Sequence, residues 1–117
     1  MGYLTTHVLD TANGCPGAGI RIELARLAPG GQRTLLATAE TNADGRTDQP
    51  LLSGAAFVAG RYELMLSVSA YYATRGSAHA GDFLDDVVIR FVVSSPQEHY
   101  HVPLLVSPYG YSTYRGS

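Results

Sequence analysis

The feature that most constrains this chain is a period-two alternation of apolar and polar residues, broken at short intervals by clusters of Gly, Pro, Asn and Asp. Alternation sends successive side chains to opposite faces of an extended backbone, so each such run reads as a strand with one buried face. Leu4, Thr6 and Val8 alternate with Thr5, His7 and Leu9, and the turn cluster Asn13-Gly14-Cys15-Pro16-Gly17 follows. Ile20, Ile22 and Leu24 then share one face, with Arg21 and Glu23 on the other. Pro29-Gly30-Gly31 turns the chain into a strand over Arg33 to Glu40, the polar stretch Asn42 to Pro50 reads as a loop, and a short strand is expected between Leu51 and Phe57. Tyr62, Leu64, Leu66 and Val68 give the clearest alternation. Tyr71 to Arg75 is expected to form one or two helical turns, ended by Gly76. Val87 to Val93 is a strand closed by Pro96, Val102 to Val106 forms the next, and Tyr109 to Arg115 the last. About seven or eight short strands separated by turns predict an antiparallel β-sandwich. A length of 117 residues suits a single domain, residues 1–117.

Composition narrows the function classes. A net charge of -2 and the lack of any basic run exclude the footprint expected for nucleic-acid binding. All eight basic residues are arginine, so a catalytic cation would have to be Arg or His. No apolar stretch reaches the length of a membrane span, and Met1 to Asp10 lacks the pattern of a secretory signal. The single cysteine, Cys15, cannot form an internal disulfide and fits a reducing compartment. A cytoplasmic protein is therefore expected.

The alternation also places the histidines. Leu4, Thr6 and Val8 point to the core, so His7 points outward; Val102, Leu104 and Val106 point inward, so His101 points outward. The same outward faces carry Leu9, Pro103 and Leu105, a mixture typical of a surface that meets another subunit. Two histidines on such a surface are a reasonable place for acid–base chemistry, although alternation does not establish that their strands are neighbours. His99 and His101 have the spacing that puts two imidazoles on one strand face, as zinc sites do, but His7 is the only obvious third ligand, and no metal site is expected. Glu40-Thr41-Asn42-Ala43-Asp44-Gly45 resembles the start of a calcium loop, yet Leu51 stands at the twelfth position, where a bidentate Glu is required, so Asn42-Ala43-Asp44-Gly45 reads as a turn from which Arg46 emerges. His79, Asp82, Asp85 and Asp86 read as solvated loop residues, and no Gly-x-Ser-x-Gly elbow, P-loop or dinucleotide fingerprint is present.

Three segments resemble a known family. Leu4-Thr5-Thr6-His7-Val8-Leu9-Asp10 with Gly14 to Gly17 is similar to the opening strand and turn of the transthyretin family, and Asp44-Gly45-Arg46 to its arginine-bearing loop. His99-Tyr100-His101-Val102-Pro103-Leu104-Leu105, with Tyr109-Gly110-Tyr111-Ser112-Thr113-Tyr114-Arg115-Gly116-Ser117, resembles the C-terminal third of the family's 5-hydroxyisourate hydrolase branch. The Tyr-Arg-Gly-Ser ending separates that branch from transthyretin itself. The resemblance implies a transthyretin-like antiparallel β-sandwich of two four-stranded sheets with one short helix. It implies a homotetramer with active sites at the dimer–dimer interface, on a face where the strands of His7 and His101 are adjacent. It also implies hydrolysis of 5-hydroxyisourate without a cofactor, with His7, Arg46 and His101 catalytic and with His7, Arg46, Tyr114 and Ser117 binding substrate. The stretch Asp82 to Val87 departs from the family pattern, which often has aromatic and proline residues there. A small-molecule carrier of the transthyretin kind is the alternative, and an adhesive β-module a second; the polar cluster weighs against the first and the lack of a repeat against the second.

Overall fold

The computed structural model describes residues 1–117. Its first strand, β1 (Tyr3–Asp10), buries Leu4, Thr6, Val8 and Asp10 and turns Thr5, His7 and Leu9 outward, as the alternation requires. The chain continues through β2 (Cys15–Pro16), β3 (Arg21–Leu27), β4 (Arg33–Glu40), β5 (Leu52–Ser53), a single 3₁₀ turn (Gly54–Ala56) and β6 (Gly60–Leu66). One helix, α1 (Val68–Thr74), leads to β7 (Val87–Val93), β8 (Tyr100–Ser107) and β9 (Gly110–Thr113). No helix is long and apolar enough to cross a membrane.

The strands form two sheets. One runs β4-β3-β6-β7 and is antiparallel throughout. The other runs β2-β1-β8-β9, with β5 added to the start of β1, and so has five strands where four were expected. The fifth is a two-residue pairing of Leu52 and Ser53 with Leu4 and Tyr3, where the poorly defined strand between Leu51 and Phe57 was anticipated. Its brevity follows from Gly54, whose φ of 67° ends the extended run. The central pair of this sheet, β1 and β8, is parallel, an exception in a sandwich otherwise built of antiparallel pairs. A parallel neighbour needs a long return connection, and nearly the whole chain between them supplies it.

A cluster of 20 buried apolar residues fills the space between the sheets, with Tyr62, Tyr72, Leu4 and Ile22 among the fully enclosed. Burial of this kind is worth about 1.5–3 kcal/mol for each large aliphatic or aromatic side chain relative to leaving it in water. The helix begins three residues before Tyr71. Val68 is buried like the alternating residues before it, yet it reaches the core from the first turn of α1 and not from a continuing strand. Gly76, with φ 75°, ends the helix as expected. Tyr71 and Tyr72 tie α1 to β1, each donating a 2.7 Å hydrogen bond to the carboxylate of Asp10, which is 1% exposed. Burial pushes the Asp10 carboxyl upward, but hydrogen bonds from Asn13, Tyr71 and Tyr72 outweigh it and hold the group below the usual carboxylate range.

Candidate active site

The parallel pairing of β1 with β8 settles the neighbour relation that alternation leaves open. Thr5 lies directly across from His101, and His7 from Pro103, with all four on the outward face. Thr5 Oγ1 stands 2.8 Å from His101 Nδ1 and 2.8 Å from His99 Nε2. The His99 ring stacks on Tyr3 with centroids 4.0 Å apart.

Arg46 arrives from the other side. Asn42 builds the turn, accepting hydrogen bonds at its side-chain oxygen from the backbone N–H of Asp44 (2.9 Å) and Arg46 (3.2 Å). Gly45 takes φ 75°, and a Cβ there would collide with the Val8 carbonyl. The absence of a side chain lets the turn press against β1, where Val8 N–H donates to the Gly45 carbonyl at 2.8 Å and Arg46 bridges to His7. The Arg46 side chain is exposed and makes no ion pair.

The last residues close the site from β8. Arg115 lies 3.9 Å over the Tyr100 ring and donates to Glu98 (3.0 Å) and to the His99 carbonyl (3.1 Å). This strap brings the Gly116 N–H to within 2.7 Å of the His101 carbonyl. Gly116 packs so closely that a Cβ would fall 2.7 Å from His101 Cδ2.

Together these parts form a polar cleft of about 310 Å³ lined by Tyr3, Thr5, Arg46, Thr47, His101 and Ser117, among others. Arg46, His101 and Ser117 are thus brought together, with His7 alongside in its bridge to Arg46. Tyr114 is not: it is 59% exposed and lines a separate, more apolar hollow with Phe91, Val92 and Tyr100. Thr5, Tyr3 and Thr47 were not anticipated. Thr5 could have been, since it shares the parity of His7. No group of three His, Cys, Asp or Glu side chains is arranged to hold a metal ion, although His99 and His101 do share one face as their spacing predicts.

The electrostatics disfavour the charged form of both site histidines. Burial and then the Arg46 guanidinium lower the pKa of His7, against a smaller upward pull from Asp44. Burial, Arg46, His99 and His7 all lower that of His101. A neutral imidazole beside an unpaired guanidinium combines a proton acceptor with an anion-stabilising group.

Residues 4–116 match the model of the HIUase/Transthyretin family. The chain belongs to this family. It is 58% identical to the 5-hydroxyisourate hydrolase of Pseudomonas aeruginosa over 100% of its own length and 93% of that protein. Among solved structures, (S)-allantoin synthase superposes with a TM-score of 0.93 at 48% identity, over 99% of this chain and 44% of that longer one. Sea bream transthyretin in complex with thyroxine superposes with a TM-score of 0.87 at 27% identity, over 97% of this chain and 93% of that one. Family members thus share the sandwich while differing widely in sequence.

Proposed function

We propose that this protein is an enzyme that hydrolyses 5-hydroxyisourate, opening its six-membered ring to give 2-oxo-4-hydroxy-4-carboxy-5-ureidoimidazoline. The observation that carries this reading is the convergence of Arg46, His101 and Ser117 on one polar cleft, in a chain 58% identical to a 5-hydroxyisourate hydrolase. Ring opening by water transfers protons and no net electrons, work that imidazoles and a guanidinium can do.

In this mechanism His101 takes a proton from the attacking water. Its Nδ1 is engaged by Thr5 and its Cδ2 edge by Gly116, which leaves Nε2 as the nitrogen for the cleft. Arg46 binds the electron-rich substrate and stabilises the oxyanion at the attacked carbonyl. His7 orients the substrate or protonates the departing ring nitrogen, and Ser117 closes the cleft by hydrogen bonding. Tyr114 lies outside the cleft of its own chain, and in this reading its hydroxyl serves the site of a second copy of the chain.

The working assembly in this reading is a homotetramer with this face at the dimer–dimer interface. Leu9, 38% exposed, stands opposite the half-buried Leu105 beside the cleft, an apolar pair suited to a subunit contact. The activity belongs to urate degradation in the cytoplasm, for which the free thiol of Cys15 is suited.

The test is the ultraviolet decay of 5-hydroxyisourate freshly generated by urate oxidase. Marked acceleration that survives a chelator and is lost in His101→Asn is expected. A folded protein that gives no acceleration overturns the hydrolase reading and directs attention to ligand carriage.

A further inference from the structure

The Thr5 hydroxyl sits 2.8 Å from both His99 Nε2 and His101 Nδ1. A hydroxyl owns one proton, so it can donate to at most one of these nitrogens, and at least one of the two rings must donate to it; a continuous chain has it donate to one and accept from the other. In such a chain the tautomers of the two rings are linked, and the two rings cannot both accept from Thr5. If His101 carries its proton on Nδ1, it donates to Thr5, Thr5 donates to His99 Nε2, and His101 Nε2 is free to act as a base. If His99 Nε2 carries the proton, the chain runs the other way and His101 presents an Nε2–H instead.

The surroundings hold this chain in place. Thr5 and His101 are opposed in the β1–β8 pairing, Gly116 presses on the His101 ring, and Tyr3 stacks on His99. The Arg115 guanidinium, itself paired with Glu98, is bound to the His99 carbonyl and fixes the backbone from which that ring projects.

We propose that Thr5 is a positioning residue that selects the reactive tautomer of His101, and that His99 is the far end of a proton relay from His101 through the Thr5 hydroxyl. The proposal rests on the hydrolase reading for its catalytic consequence. As an O–H bond of the attacking water breaks, its oxygen bonds to the substrate carbonyl carbon and its proton goes to His101 Nε2. The Nδ1 proton of His101 passes to Thr5 Oγ1, and the original Thr5 proton passes to His99 Nε2. His101 is then neutral and the positive charge lies on His99. When the ring C–N bond breaks, the shift reverses and His101 Nε2 releases its proton toward the leaving nitrogen, which restores the starting state. The gain is electrostatic. A charge held on His101 is opposed by its burial and by Arg46, His99 and His7, so moving the charge along the chain relieves the residue that must accept the water proton.

The experiment uses the full chain with ¹⁵N-labelled histidines. Long-range proton–nitrogen spectra of the wild-type protein at neutral pH should show His101 protonated on Nδ1. Thr5→Val, isosteric and well suited to a strand, should abolish that preference and lower kcat by about tenfold or more while changing KM far less. Thr5→Ser keeps the hydroxyl and should return kcat to within about threefold of wild type. His99→Phe keeps the stack on Tyr3 but removes the acceptor, and should lower kcat by about tenfold, with the Thr5→Val/His99→Phe pair no slower than Thr5→Val alone. A wild-type His101 protonated on Nε2 overturns the proposal. So does a Thr5→Val or His99→Phe enzyme with wild-type kcat, or a Thr5→Ser enzyme as slow as Thr5→Val. Failure of the wild-type protein to accelerate the decay would instead overturn the hydrolase reading, and the nitrogen spectra would still decide the tautomer.

Discussion

On the outward face of the β4-β3-β6-β7 sheet, Glu63 is 7% exposed and held by Arg33 at 2.7 Å and Arg90 at 3.1 Å, while Arg33 also reaches Glu23 at 3.1 Å. On the outward face of the other sheet, Arg46 has no carboxylate partner, and the pKa values of His7 and His101 are lowered. Both faces are carried by the same sandwich and share one core. The Glu63 carboxylate on the first is compensated by arginines of its own face. The second leaves Arg46 without a carboxylate beside two imidazoles whose pKa values are lowered, an arrangement suited to chemistry. The two clusters thus differ in whether their central charge already has a partner of opposite sign.

The sharpest way to break this contrast is to alter the uncompensated face. Arg46→Ala or His101→Asn should each lower kcat/KM for 5-hydroxyisourate by about a hundredfold or more, with little change in thermal midpoint. A near-wild-type rate in either variant removes that residue from the mechanism. Acid comes next. Both site histidines have pKa values below the ordinary 6.5, so their neutral forms persist at pH 7 and are lost only as the pH falls through those lowered values. The rate should be flat near neutrality and fall by about tenfold per pH unit on the acid side, below the range of an ordinary imidazole. A pH–rate profile whose acid limb lies above 6.5 would contradict this.

The compensated face should answer in stability instead. Glu63→Gln should cost about 1–2 kcal/mol in urea unfolding and leave kcat/KM within about twofold. Arg33, then Arg90, hold the Glu63 carboxyl below its ordinary 4.5. Its contribution is therefore complete above that value and lost as the pH falls through the lowered one. Following rate and thermal midpoint together through the acid range separates the loss of the neutral imidazoles from the loss of this network. The smallest expected effect is that of salt. Raising ionic strength from about 50 mM to about 500 mM should raise KM a few-fold by screening Arg46, with a smaller effect on the half-buried network. An unchanged KM would argue against a charge-based hold on the substrate.

Most of the sandwich was legible in the sequence because each strand buries one face. Arg33–Glu40 and Val87–Val93 fall where the alternation put them, and His7 and His101 face outward as their parity demanded. What alternation cannot encode is which strands lie side by side. The parallel β1–β8 pairing, and with it the meeting of Thr5 with His99 and His101, depends on contacts |i−j| = 94 and 96 residues apart. The start of α1 was missed because Val68 is buried in either conformation, so its hydrophobicity carries no period. The pairing of Leu52 and Ser53 falls inside the strand expected between Leu51 and Phe57, but two residues are too few for a pattern to fix its bounds. Arg46 was marked by its turn, but only the approach of Gly45 to Val8 shows why that turn must dock on β1.

The parallel contact between β1 and β8 also has a kinetic meaning. When the chain is made from its N-terminus, β1 emerges long before β8, and during that interval one edge of β1 has no partner. Closing this pair is a long-range event, expensive in loop entropy and therefore slow relative to the local hairpins of the other sheet. The groups proposed to act in catalysis on β1 and β8 meet only at that step. A partly folded chain can already hold its compensated sheet and still be inert, so recovery of hydrolysis during refolding would time the closure of the sandwich, not its collapse.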